Sequence, residues 1–184
     1  MPDDKKVICG ISKTRTRTVR PIIVSGDVAY IQLTRGFVSI IDAEDVDLVS
    51  SWNWMSMVGP WSVYAHRMAP KDTNGKRKSI LLHRVITGAT DGTLVDHISG
   101  DCLDNRKQNL RFATPSQNSF NQKIRSDSAS GVKGVRFDRH RGKWAANIRA
   151  NGKRYYLGRF DTLDEAKKSY DYASKRYHGE FCRS

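Results

Sequence analysis

GVKGVRFDRHRGKWAANIRANGKRYYLGRFDTLDEAKKSYDYASKRYHGEF, residues 131–181, contains two structural periods in succession. GVKGVRFD, KWAANIRA and KRYYLGRF read as three strands joined by an Arg/Gly turn and by Asn151-Gly152, a dipeptide that favours tight hairpins. A helix follows. Thr162 and Glu165 form a capping box, and Leu163, Ala166, Tyr170, Ala173 and Tyr177 recur at steps of 3, 4, 3 and 4 before Gly179. Such a stripe must cover one face of the sheet.

Strand alternation predicts which face. Trp144, Ala146 and Ile148 fall on one side of the second strand and meet the helix, whereas Ala145, Asn147 and Arg149 fall on the other. Arg136, Asn147, Arg149, Arg154 and Tyr156 then make a basic, hydrogen-bonding surface suited to a DNA groove, where Arg reads guanine edges bidentately. A merely solvated basic face is the alternative. Residues 131–184 hold 14 Lys and Arg against six acidic residues, a net +8 of the chain's +13.

Through GVR, GKWAANIR, YYLGRFDT, EAKKSYDYA and HGEF, the segment resembles the AP2/ERF DNA-binding domain, over nearly all of residues 131–183. The resemblance implies a three-stranded sheet entering the major groove of double-stranded DNA. Its contact positions map to Lys133, Arg136, Asn147, Arg149, Arg154, Tyr156 and Arg159. The loop FDRHRGK is one residue longer than the usual version and lacks its Pro-Trp, so Arg139 and Arg141 both stand as contact candidates.

Upstream, QKIRSDSAS (122–130) has the composition of a linker. Before it stands LVDHISGDCLDNRKQNLRFATPSQNSFN, residues 94–121, dense in polar, metal-capable and proton-accepting residues. Asp96 and His97 are adjacent, Asn109 follows twelve residues after His97, and Asn118 nine after that. An imidazole base with oxygen ligands for a hard cation is what phosphodiester hydrolysis requires. Residues 92–98 read as a strand, 99–104 as turn, 105–111 as a helical turn, and 114–123 as a polar helix opened by Thr114-Pro115.

His83-Arg84, Val95-Asp96-His97, Leu103-Asp104-Asn105-Arg106, Asn109-Leu110-Arg111 and Gln117-Asn118 together resemble the HNH, or ββα-metal, nuclease module in the His-Asn-Asn form of phage and intron-encoded homing endonucleases. The resemblance implies that Asp96 and Asn118 hold Mg2+, or another divalent cation such as Mn2+. It makes His97 the general base and Asn109 the residue that orients it. His83, close before the motif, is a candidate to support the ligating shell from behind.

The remaining chain reads as a β-rich front. IIVSGDVAYIQLT turns at Gly26-Asp27, FVSIID follows, and IDAEDVDLVSSW gives a short helix after an acidic first turn. Trp52, Trp54 and Trp61 cluster with Tyr64 and Met55 around Gly59-Pro60 and are expected to fill a small core, base-stacking platforms being the alternative. Residues 79–83 read as a further strand. Met1 to Pro21, with TRTRTVR, reads as a basic leader.

With 28% charged and 38% hydrophobic residues the chain is of globular composition, and its +13 charge calls for a polyanion. No long apolar run or basic amphipathic helix points to a membrane, and no small-molecule substrate is indicated. Three isolated cysteines and an N-terminus without a signal-peptide core predict a cytoplasmic setting, that of the host if the chain is phage-encoded.

The fold expected is therefore α+β. A basic leader (1–21) precedes a β-rich front with the HNH motif (22–121), a linker (122–130), and a three-stranded antiparallel sheet packed on one helix (131–184). The function expected is metal-dependent DNA endonuclease of the homing type. A DNA-binding regulator with a vestigial nuclease motif is the rival, and structured-RNA binding is a third reading.

Overall fold

The computed structural model of the protein describes residues 6–8, 18–122, 124 and 127–182. It separates into two compact units, Met1–Phe112 and Ala113–Ser184.

The first unit opens with an antiparallel sheet in the order β1 (Lys6–Ile8), β2 (Ile22–Ser25), β3 (Val28–Gln32), β4 (Val38–Asp42). Alternation does what it should: Ala29, Ile31 and Ile41 point into the core, where they join Val49, Trp54, Ala65 and Leu82. A 3-10 turn at Ala43–Asp45 runs into α1 (Val46–Val49), the short helix expected there. A second sheet is a meander of β5 (Met55–Val58), β6 (Val63–Lys71) and β7 (Arg77–Leu81). After α2 (Leu82–Thr87), ended by Gly88 at φ 64°, comes a two-stranded sheet of β8 (Leu94–His97) and β9 (Leu110–Ala113).

Four sequence expectations change here. The strand foreseen at 79–83 ends at Leu81. His83 lies in α2, whose Leu82, His83 and Ile86 are buried together at helical spacing. The helical turn foreseen at 105–111 is confined to Lys107–Asn109, because pairing with β8 draws Leu110 into a strand. Of Trp52, Trp54 and Trp61, only Trp54 enters the core, where its indole N–H donates to the Val49 carbonyl. Trp61 sits at the β5–β6 turn, 81% exposed, and Trp52 lies under the Arg67 guanidinium at 3.9 Å. Of the basic leader, residues 1–5 and 9–17 lie outside the described residues. Lys6–Ile8 pair with β2, and Val19 is buried while the Arg20 amide donates to Asn53.

The second unit begins with α3 (Pro115–Phe120), capped by Thr114 and Gln117 in a reciprocal box. It continues with a sheet in the order β10 (Val135–Asp138), β11 (Lys143–Ala150), β12 (Lys153–Phe160), and then α4 (Leu163–His178). The Thr162–Glu165 capping box is present, and Asn151 and Gly152 both take positive φ in the β11–β12 turn. Ala166, Tyr170 and Ala173 pack on Val135, Ala146 and Ile148, as the stripe and the alternation require. Tyr177, the last of the stripe, stacks on Tyr155 with ring centroids 4.8 Å apart.

This unit starts earlier than the linker foreseen at 122–130, of which residues 123, 125 and 126 lie outside the described residues. The reason is in the contacts of α3. The Phe120 ring lies flat on His178 at 3.7 Å, and the Lys133 ammonium donates to the carbonyls of Phe120 (2.6 Å) and Gln122 (3.0 Å). A cation on carbonyls at a helix C-terminus also offsets the helix dipole.

Candidate functional site

The β8–β9 pair presents a cluster of buried polar side chains in the first unit. Asp96 and His97 end β8, and Asn105 and Asn109 belong to the loop that returns to β9; each is at most 6% exposed. Burying this many polar groups is tolerable only if they are satisfied. The described hydrogen bonds show how.

Asn109 ties the loop. Its Oδ1 accepts from the Ser99 amide at 2.9 Å, its Nδ2 donates to the Asp104 carbonyl at 2.7 Å, and its own carbonyl accepts from the Ile98 amide. The loop is fixed in turn to β4, since the Ile40 amide donates to the Leu103 carbonyl and the Asn105 amide to the Ile40 carbonyl. At the His97 ring the described bond is from Nε2 to Asn105 Oδ1, 3.2 Å, rather than to Asn109. Asn105 was within the sequence motif but had no role there, because spacing alone does not say which of two amides faces the ring.

His83, Tyr64 and His97 form an aromatic group. The two imidazoles meet edge to face with centroids 5.0 Å apart, and Tyr64 stands 5.8 Å from His83 and 6.1 Å from His97. The structure thus places His83, the candidate to support the ligating shell, against the His97 ring. Burial pulls His97 below the ordinary imidazole pKa, with Asn105 and Asp96 acting against it, so the ring is neutral at pH 7. Burial first, then His97 and Arg84, push His83 down to about 3.

That depression has a sign that can be measured. Below about pH 6.5 the unfolded chain takes up a proton at His83 that the folded chain refuses until about pH 3. Folding stability contributed by this site therefore falls as pH falls between those values, by at most about 1.4 kcal/mol per pH unit. Urea midpoints from pH 7 to pH 4 should fall less steeply in His83→Leu than in the native chain. Equal slopes in the two would contradict the burial argument.

Asp96 is held by Arg111, whose Nε and Nη2 donate to Oδ2 at 2.9 and 2.8 Å. Among the described residues no three His, Cys, Asp or Glu side chains gather into a metal-binding group. Hard divalent cations need few protein ligands, however, and accept a lone carboxylate, amide oxygens and water. By type, the Asp96 carboxylate and the Asn118 amide oxygen are each donors that such an ion accepts. Asn118 stands half-buried on α3 and belongs to the second unit.

The second unit carries the basic face. Across the sheet, Arg136 aligns with Ala145 and Arg159, Asn147 with Tyr156, and Arg149 with Arg154. Strict alternation along β12 would put Arg159 on the opposite side from Arg154 and Tyr156. A register shift between Ala146 and Asn147, in which Leu157 is passed over, restores it to theirs. The Arg159 guanidinium lies 5.4 Å from the Tyr156 ring centroid and its Nε donates to Asp138 at 3.1 Å. Arg139 and Arg141 are both exposed in the β10–β11 turn, Arg141 reaching Asp138 at 3.5 Å. The Lys133 ammonium is engaged by the carbonyls that close α3. A cleft of about 690 Å³ opens beside this face, with Arg136, Arg149 and Arg154 among its walls.

Residues 130–180 match the AP2 domain family, which supports DNA binding. Protein 3.8 of Escherichia phage T7 is 34% identical over 93 residues, half of this chain and 75% of the phage protein. An uncharacterized HNH endonuclease of Acanthamoeba polyphaga mimivirus is 36% identical over 87 residues, 47% of this chain and 44% of the viral one. An AP2-like ethylene-responsive transcription factor of Arabidopsis thaliana is 41% identical over 51 residues, 28% of this chain and 10% of the plant protein. Among the described residues no helix is long and apolar enough to cross a membrane.

Proposed function

The chain belongs to the same family as Protein 3.8 of Escherichia phage T7, and we propose that it is a metal-dependent, homing-type DNA endonuclease whose AP2 domain delivers an HNH site to duplex DNA. The observation that carries this reading is the buried His97 imidazole beside Asp96, on a strand pair whose loop is pinned by two asparagines. The likeness to a mimivirus HNH endonuclease supports it.

His97 takes a proton from a water molecule. The hydroxide forms a new P–O bond, one bridging P–O bond breaks, and the departing oxygen is protonated from solvent. Asp96 and Asn118 are the residues that would hold magnesium or manganese, which supplies neutralisation of the charge gathering on the phosphate. Asn109 keeps the loop, and with it the end of β8, in place. Arg136, Asn147, Arg149, Arg154, Tyr156 and Arg159 meet the DNA, with Arg139 and Arg141 at its edge.

One observation favours the rival, a DNA-binding regulator with a vestigial motif: the Asp96 carboxylate is already paired with Arg111. Incubation of the purified chain with supercoiled plasmid and phage genomic DNA, with magnesium and then manganese, separates the two. Cutting supports the endonuclease; tight binding without cutting in either metal supports the regulator.

The DNA face has its own test. Arg154 is exposed and has no described ion pair, so Arg154→Ala should weaken binding across sequences and reduce the slope of log K against log salt by about one. Anisotropy titrations at several salt concentrations measure it. An unchanged slope would remove Arg154 from the phosphate-contacting set.

A further inference from the structure

The hydrogen bonds around Asn105, 1% exposed, define which end of its amide faces His97. Nδ2 donates to Ser39 Oγ at 2.8 Å and to the Leu103 carbonyl at 3.2 Å, and the Ser39 hydroxyl donates to that same carbonyl at 2.9 Å. A carbonyl oxygen only accepts, so the end of the amide beside Leu103 is its nitrogen. The other end, Oδ1, is then the atom 3.2 Å from His97 Nε2. Since Oδ1 also only accepts, Nε2 carries the hydrogen, and a neutral imidazole has one N–H. The lone pair is left on Nδ1.

We propose that Asn105, anchored through Ser39 of β4, is the positioning residue for His97, holding its ring in the Nε2–H tautomer and so selecting Nδ1 as the atom that takes the proton from water. The last clause rests on the endonuclease reading; the tautomer does not. Ser39 is fully buried and lies on the first sheet, at the strand to which the loop is bonded through Ile40. The relay thus ties the ring to the four-stranded sheet of its own unit. Asn109 and Asn105 divide the work: one shapes the loop backbone, the other sets the ring. His83 packs edge-on against the same imidazole and limits its tilt.

The test reads the ring directly. Long-range 1H–15N correlation spectra of the full chain with 15N-labelled histidine should show His97 protonated at Nε2. Asn105→Ala should mix the two tautomers. It should also lower kcat for DNA cleavage by about 10- to 100-fold, with KM for DNA within about twofold because no DNA-facing residue changes. Ser39→Ala, which removes one of the two acceptors of Asn105 Nδ2, should mix the tautomers partially. A native His97 protonated at Nδ1 overturns the proposal, as does an Asn105→Ala chain, folded by its amide spectrum, with unchanged ring signals. A native chain with the expected tautomer that cuts no DNA supports the positioning role while removing the endonuclease reading.

Discussion

On the proposed endonuclease reading, His97→Ala should lower cleavage of duplex DNA by about 10²- to 10⁴-fold, the range that a positioned general base contributes. Binding to the same DNA should stay within a few-fold of native, because the residues placed on the DNA face all belong to the second unit and His97 to the first. The truncation also opens a cavity beside His83 and Tyr64 and leaves the Asn105 Oδ1 without its donor, so some loss of stability accompanies it. His97→Gln is the control, since it keeps much of the volume and a donor but has no basic nitrogen. Plasmid cutting time courses and anisotropy on the same preparations measure both effects. If His97→Gln cuts as fast as the native chain, the base is another residue.

Gly134→Ala should cost about 3 kcal/mol or more and abolish DNA binding. Gly134 has φ +70°, and a Cβ there would lie 2.3 Å from the Asn147 carbonyl oxygen and 2.3 Å from the Tyr170 ring. The left-handed conformation alone costs roughly 1–2 kcal/mol for a residue with a side chain, and forced overpacking adds about 1–3. Neither neighbour can give way cheaply. The Asn147 amide is bonded to the Gly134 carbonyl at 2.9 Å, and Tyr170 is a buried anchor of α4. Hydrogen exchange should quicken in β10, β11 and α4 while the first unit keeps its protection. Native-like exchange in the second unit of the variant would contradict the close approach.

Much of the second unit was legible because its signals are local. Asn151-Gly152, the Thr162–Glu165 box and the stripe from Leu163 to Tyr177 are each decided by residues within a few positions of one another. The strand-to-core assignment of Ala146 and Ile148 followed from alternation. What alternation misses is the register shift at Leu157, because a bulge depends on the partner strand; only the family resemblance put Arg159 beside Tyr156. The same limit applies in the candidate site. Asp96, His97, Asn109 and His83 could be singled out by spacing and likeness, but the partner of the His97 ring depends on a serine 66 residues from Asn105. Trp61 failed for a different reason: a tryptophan in a hairpin turn can be left in solvent by the geometry of the turn, and composition does not report that.

The α3 helix, fastened by Phe120 on His178 and by Lys133 on its last carbonyls, changes what counts as the transplantable part of this chain. The AP2 match begins at residue 130, but the compact unit begins at Ala113. A graft of residues 130–180 alone would strip the ring from one side of His178 and leave the Lys133 ammonium without its carbonyls. A recombination event respecting the physical seam would join at residues 112–113. It would carry Asn118 along with the DNA-binding sheet, so that part of the proposed catalytic equipment is inherited with the targeting module rather than with the strands that hold His97.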